Sequence, residues 1–479
     1  MSRYHRETLI IAVTTIAVRL AYQLYTGFTA DDAFITFRYA ENIANGLGFV
    51  YNEGQRVLGT TTPLYGLIMA VASFFKFPLP GAALVVSLAA SATTAVVIYR
   101  FAVALRFRLL AFVPVICYIL WPRSLPGETA GMETALFTLL VISAFYFRHR
   151  RYDYYAIGMA TLATLTRPEG AFLLLLLIVA ETISLPQRWW QYLLVPAFLI
   201  LPWVIFATFY FGSPIPHTVE AKAALYSQFG TMTGTEALTY LLALHTPFGW
   251  LLAGLVIAGA IWLYRSQRSG LLMLIWLTGI IAFYALSPTR LFFWYVVPIY
   301  PIYLLFATAA GLIVWDRLPL KIQHSVSVRT ALGIALAALL VVGAYRPLQF
   351  YRNYQQALES MHLQVGYYLF AEANPDHLVA AEDIGYIGFY SKRTILDRDG
   401  LVSPEVVPYN RIGNYLQLLL DYRPEWVVAA EPSATSPFLD DSTFIRRYRL
   451  ERSFSTDEIA YHVYSRKVSQ PDTTDSGAN

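Results

Sequence analysis

Long apolar stretches recur along the chain, near residues 9–25, 80–104, 109–121, 130–147, 169–183, 191–211, 237–263, 270–286, 292–314 and 328–345. Each approaches the roughly 20 residues that a helix needs to cross a bilayer, and one soluble core has no use for so many. The composition agrees, with 57% hydrophobic and 14% charged residues, where an ordinary soluble domain carries about a quarter charged. Residues 1–345 are therefore expected to form a polytopic α-helical membrane domain of about 11–12 segments. From 346 onward charges and prolines return and no run is long enough to span. Strand-like runs at 378–381, 426–430 and 458–464 alternate there with helical stretches such as 412–422, so 346–468 reads as a small soluble α/β domain. The polar end, 469–479, reads as a disordered tail.

Basic residues set the expected sidedness. Lys and Arg accumulate in cytoplasmic loops, so Arg3/Arg6, Arg106/Arg108, Arg148/Arg150/Arg151, Arg265/Arg268 and Arg317/Lys321/Arg329 are placed inside. The short basic start, residues 1–7, lacks a small-residue cleavage site and reads as the cytoplasmic end of an uncleaved first helix. Loops 26–60, 122–129, 166–169, 212–235 and 287–291, with everything after 346, then fall outside the cell membrane. For the alternation to hold, 61–77 and 80–104 make a single crossing, with 61–77 re-entrant or interfacial. The stretch 155–166 is too short to cross, which sinks the turn Thr166-Arg167-Pro168-Glu169-Gly170 below the surface, where charged backbone must line a watery cavity or be buried in protein. The net charge of +4 is spread over loops and suggests no nucleic-acid partner. Cys117 is the single cysteine, so an intrachain disulfide and a thiolate metal site are both excluded.

The first external loop, 26–60 (Thr29-Ala30-Asp31-Asp32-Ala33-Phe34-Ile35-Thr36-Phe37-Arg38-Tyr39 and onward), reads as an interfacial helix. Thr29 is placed to cap it with Asp32 three residues on; Asp31, Arg38, Asn42 and Asn45 share one stripe, and Phe34, Phe37, Ala40 and Ile43 are expected to face lipid. An aspartate pair at a helix start complements the dipole. Beside a cavity, a carboxylate also serves as general base toward a hydroxyl, and a second one acting as nucleophile would retain configuration. A phosphate leaving group would need cationic or N–H donors. Arg167, Lys222, His217 and Arg290 are the candidates, although Lys222 and Arg290 equally suit interfacial anchoring. Glu133, in Gly131-Met132-Glu133-Thr134, starts a helix on the same side. There is no Gly-x-Gly-x-x-Gly after a strand, no phosphate-binding P-loop and no cytoplasmic domain for a nucleotide. Asp397-Arg398-Asp399 has a spacing common by chance. An outward site would thus take a lipid-linked donor.

Taken together, Asp31 to Ala40, Asn45-Gly46-Leu47-Gly48-Phe49-Val50-Tyr51-Asn52, Gly54-Gln55-Arg56-Val57 and Gly59-Thr60-Thr61-Thr62-Pro63-Leu64 resemble the GT-C glycosyltransferase superfamily. Gly131 to Thr134, Thr166 to Gly170 and Pro214 to Lys222 are similar to further blocks, so the likeness covers roughly the first 300 residues. Within the superfamily the chain looks most like terminal β-arabinofuranosyltransferases and bacterial mannosyltransferase-like membrane proteins. The resemblance implies inverting transfer of arabinofuranose or another pentose or hexose from a polyprenyl-phosphate carrier to a glycan, lipid or protein acceptor, without metal or other cofactor. It makes Asp31 or Asp32 the base, and Arg167 and Lys222 the holders of the donor phosphate. Arg38, Tyr39, Arg56, Glu133, Glu169, His217 and Arg290 complete the expected substrate-binding set, with His217 standing where relatives usually show Asn. The rival readings are a transporter or flippase for a lipid-linked saccharide, with Arg19 and Glu181 as its intramembrane ionisable residues, and a non-catalytic scaffold.

Overall fold

A computed structural model describes residues 3–229, 232–242, 249–287, 291–433 and 436–467; Arg290 and the 469–479 segment lie outside the described residues. The chain begins with α1 (Arg3–Thr26), α2 (Asp31–Ala44), α3 (Pro63–Phe74) and α4 (Leu79–Ala104). Two short helices, α5 (Val113–Leu120) and α6 (Ser124–Thr129), lead into α7 (Thr134–His149), α8 (Asp153–Thr166) and α9 (Gly170–Ser184). Next come α10 (Trp189–Phe211), α11 (Thr218–Phe229), α12 (Gly234–Leu241), α13 (Gly249–Ser266) and α14 (Arg268–Leu286). The bundle closes with α15 (Phe293–Val296), α16 (Tyr300–Trp315), α17 (Leu320–His324) and α18 (Val326–Leu358).

Six helical stretches among the described residues are long and apolar enough to cross a membrane, and five shorter apolar helices accompany them, in line with the expected number of segments. Burial sorts them by place. The apolar window of Phe293–Trp315 is 83% buried and so lies at the centre of the bundle, whereas that of Pro186–Phe211 is 11% buried and faces outward. A face of Leu193, Leu194, Phe198 and Phe209 left uncovered on α10 makes physical sense only against lipid tails. At 12 residues, α3 is about 18 Å long and cannot cross alone; it packs against α2 and α4. The first 20 residues of α18 suffice to span, and the rest projects as a neck through a π-helical turn, Glu359–Leu363, into α19 (Gln364–Glu372).

Beyond the neck lies a five-stranded mixed sheet in the order β2-β1-β3-β5-β4. The strands are β1 (Leu378–Ala381), β2 (Thr394–Asp397), β3 (Trp426–Glu431), β4 (Tyr448–Ser455) and β5 (Ala460–Arg466). β1 runs parallel to β2 and β3, while β3–β5 and β4–β5 are antiparallel. The parallel crossovers carry helices α20 (Ile384–Ser391) between β1 and β2, then α21 (Val407–Ile412) and α22 (Tyr415–Tyr422) between β2 and β3; α23 (Ser442–Arg447) precedes β4. β3 is buried on both faces over its first five residues, which its unbroken Trp-Val-Val-Ala-Ala run requires.

The structure corrects two expectations about α2. Phe34, Phe37 and Ala40 do not face lipid: they are buried in a cluster with Tyr65 and Met69 of α3 and with Tyr386, and the Phe34 and Tyr386 rings lie 4.0 Å apart. The helix is sandwiched between α3 and α20 of the sheet domain. Thr29 is not its cap either; Ala30 holds that position without a side-chain bond.

Candidate active site

The two aspartates that open α2 serve different neighbours. Asp31 Oδ2 accepts the Gly385 N–H and Oδ1 the Tyr386 N–H, each at 2.9 Å, with His362 Nδ1 3.2 Å from Oδ1. These N–H groups open α20, whose own flanking residue Asp383 makes no capping bond. The carboxylate that α20 lacks thus comes from α2, across the junction of the two domains. Gly385 and Gly388 allow the approach, since a Cβ at the first would overlap the Asp31 carbonyl and at the second the Tyr51 hydroxyl. His362 Nε2 stands 4.0 Å from Asp383 Oδ2, which accepts from Tyr461. Burial disfavours the imidazolium, yet Asp383 and Asp31 outweigh it and raise the His362 pKa. Burial, with Asp31 and Glu382, pushes Asp383 up to about 6 against the pull of His362. One ligand atom from each of Asp31, His362 and Asp383 lies within 4.8 Å of the others, so these three could hold a cation.

Asp32 is instead under the charge of Lys222 of α11. Burial raises its pKa, Asp31 adds to the rise and Lys222 opposes it; no hydrogen bond enters. Burial works against the charge on Lys222, but Tyr295, which is also its hydrogen-bond partner, and Asp32 reverse the balance and raise the ammonium above its usual range. The Tyr295 ring in turn lies 4.9 Å from the Arg167 guanidinium. Arg167 bridges Glu169 at 3.0 Å and Glu133 at 3.7 Å, and Tyr284 also donates to Glu169. Asp32, Glu133, Arg167, Glu169 and Lys222 are therefore one connected set.

Two polar groups at the start of α11 face the same problem of satisfaction. Among the described residues His217 Nε2 and Thr218 Oγ1 are buried without a hydrogen-bond partner, and native structures leave few such groups unpaired without a functional reason. Thr218 and Lys222 are four apart, hence on one face of the helix. The set suits a phosphate, which brings several acceptor oxygens.

Other expected binding residues have structural duties. Arg38 does not face the site: its N–H groups go to the carbonyls of Tyr51, Gly388 and Arg393 at 2.6–2.8 Å, tying α2 to the sheet domain and leaving the fork occupied. Tyr39 is fully buried, donating to the Val57 carbonyl and accepting from the Gly59 N–H. Arg56 is exposed and rests 4.7 Å from the Tyr210 ring. The Asp397 carboxylate is spent on the N–H groups of Asp399 and Val402, so the Asp-x-Asp run builds a turn. Sequence reasoning missed His362, Asp383, Thr218 and Tyr295. His362, Asp383 and Tyr295 belong to no motif; Thr218 lies in the Pro214 to Lys222 block, four residues before Lys222.

A domain family described only as a domain of unknown function (DUF8728) matches residues 348–471, the neck end and the sheet. A terminal β-(1→2)-arabinofuranosyltransferase of Mycobacterium tuberculosis is 27% identical over 246 residues, covering 46% of this chain and 39% of that protein. The fold is similar to that of ArnT from Cupriavidus metallidurans in its apo state, with a TM-score of 0.63 at 13% identity over 97% of this chain and 98% of that one. ArnT bound to undecaprenyl phosphate gives 0.60 at 12% identity, covering 95% and 97%. The mycobacterial arabinofuranosyltransferase AftD gives 0.56 at 14% identity, covering 98% of this chain and 40% of AftD.

Proposed function

We propose that this chain, a polytopic membrane protein of GT-C fold, is an inverting glycosyltransferase that takes a sugar from a polyprenyl-phosphate carrier with Asp32 as general base. The divergence of the aspartate pair carries the reading: Asp31 is consumed by α20 and His362, while Asp32 has no such bonds among the described residues and feels the charge of Lys222. The acceptor hydroxyl oxygen attacks the anomeric carbon from the face opposite the phosphate, the bond from that carbon to the phosphate oxygen breaks, and the hydroxyl proton passes to Asp32. Charge then grows on the departing phosphate, where Lys222, the Thr218 hydroxyl and His217 supply donors. Arg167, already shared by Glu133 and Glu169, positions Tyr295 and through it Lys222. With its oxygens occupied, Asp31 is a poor nucleophile, which favours single displacement over a covalent intermediate.

ArnT binds undecaprenyl phosphate, and the curated relative and AftD are arabinofuranosyltransferases. These support a lipid-phosphate donor, with arabinofuranose or another pentose or hexose as its sugar and a glycan, lipid or protein as acceptor. The basic clusters support a cytoplasmic N-terminus and an extracytoplasmic site and sheet domain. The docking of the sheet domain against α2 supports a part for it in choosing the acceptor. Against a transporter stands the pairing of both intramembrane candidates: Arg19 Nε binds Glu128 Oε2 at 2.8 Å, and Glu181 pairs with Arg148.

The test is release of polyprenyl phosphate from synthetic polyprenyl-phosphate pentoses and hexoses by purified protein with acceptor present. Turnover by the wild type that Asp32→Asn abolishes without loss of fold supports the assignment; undiminished turnover in that variant overturns it.

A further inference from the structure

A cavity lies at the end of the bundle away from the candidate site. α7 begins beside Glu133 and runs 16 residues to His149, so its far end is about 24 Å from the candidate site. There the ends of α4, α7, α13 and α16 enclose a cavity of about 570 Å³. Arg106 and Arg108 line it from one short connection, with His149, Gln267, Trp262 and Asp316 on the remaining walls. Both arginines have left-handed backbone, φ 63° and 50°, and the reversal brings alternate side chains of the connection to the same wall. Asp316 is the one acid among the described residues of the lining. It stands 3.8 Å from Arg108 with both side chains more than half exposed, a pairing too long and too wet to neutralise the arginine.

We propose that this cavity binds the phosphate headgroup of an anionic phospholipid in the leaflet away from the candidate active site. Guanidinium forks match phosphate oxygens in shape and charge, and they stay charged at any physiological pH. The setting favours a lipid over a free anion. Leu105, Leu312 and Trp262 give the lining an apolar side, and Leu109 and Tyr264, both exposed, continue it onto the outer surface of the bundle, where acyl chains run. Basic pockets between helix ends on one side of a membrane are the general form of such sites.

The experiment compares thermal unfolding of detergent-purified full-length protein with added phosphatidylglycerol, phosphatidylcholine or inorganic phosphate. Phosphatidylglycerol is expected to raise the midpoint by roughly 2–4 °C, the other two to leave it unchanged. The rise should vanish in R106Q/R108Q and persist in R150Q/R151Q, which removes the same charge from the neighbouring loop. A rise retained in R106Q/R108Q, lost equally in R150Q/R151Q, or reproduced by phosphatidylcholine overturns the site; one reproduced by inorganic phosphate overturns the lipid assignment. If the double variant does not fold, R108Q alone, at an exposed position, should retain fewer phosphatidylglycerol molecules than wild type in native mass spectrometry, and an equal number overturns the proposal.

Discussion

His362 Nδ1 stands 3.2 Å from the Asp31 carboxylate although 331 residues separate them. This contact joins α2, the helix that follows α1, to the neck that carries the sheet domain. Asp31 also caps α20, so it fixes where α2 begins relative to that domain. Its chain neighbour Asp32 is thereby held at a set place, under the charge of Lys222. The pair divides its labour between joint and chemistry.

That division predicts different defects. Asp32→Asn should lower transfer by about 10²-fold or more with an unchanged melting temperature, because proton abstraction is lost while the fold is kept. Asp31→Ala should weaken the domain junction by about 1–2 kcal/mol through the missing cap, with a smaller loss of transfer. Parallel thermal melts and donor-turnover assays separate the two; the reverse pattern would make Asp31 the base.

Gly385→Ala probes the same junction from the other side. The new methyl group would overlap the Asp31 carbonyl, a backbone atom that cannot step aside, so α20 must lift from α2 at a cost of about 1–3 kcal/mol. Faster proteolysis between the neck and β1 should report the loosened domain, together with a lower melting temperature. Gly343, where a Cβ would meet a side-chain atom no closer than 3.8 Å, is the control.

The membrane domain was legible because lipid leaves an apolar signature of fixed length, and β1, β3 and α22 because their patterns are local. β4 was not, since an edge strand reading Tyr-Arg-Leu-Glu-Arg-Ser-Phe-Ser exposes most of its residues and loses the apolar alternation. Asp32, Glu133, Arg167, Glu169 and Lys222 could be gathered from blocks of sequence. The duties of Asp31 and Arg38 could not, because their partners Gly385, Tyr386, Gly388 and Arg393 lie more than 300 residues away. The polar stripe expected on α2 is partly a face toward another domain.

Lys222→Met should move the acid limb of the pH–rate profile. Asp32 must be ionised to accept a proton, and its pKa is already raised by burial. Lys222 is the charge that holds it down, so removing the ammonium raises the pKa further and the acid limb shifts to higher pH. An unmoved limb in a variant with reduced turnover would confine Lys222 to the donor phosphate.

The Asp31–His362–Asp383 cluster gives a pH-dependent junction with a definite sign. The His362 pKa lies above its ordinary 6.5, so its stabilisation is complete below that value and is lost as pH rises through the folded pKa. Asp383, pushed up to about 6, has the same sign at lower pH, because the folded state disfavours its ionised form between its ordinary 3.8 and that value. The melting temperature should therefore fall by a few degrees between about pH 6 and pH 9 in the wild type, and fall less in His362→Asn. The two carboxylates flanking His362 already take hydrogen bonds from Gly385, Tyr386 and Tyr461, so EDTA is expected to change neither melting nor turnover. Loss of stability on chelation, restored by a divalent cation and absent in His362→Asn, would instead assign the three ligand atoms to a bound metal.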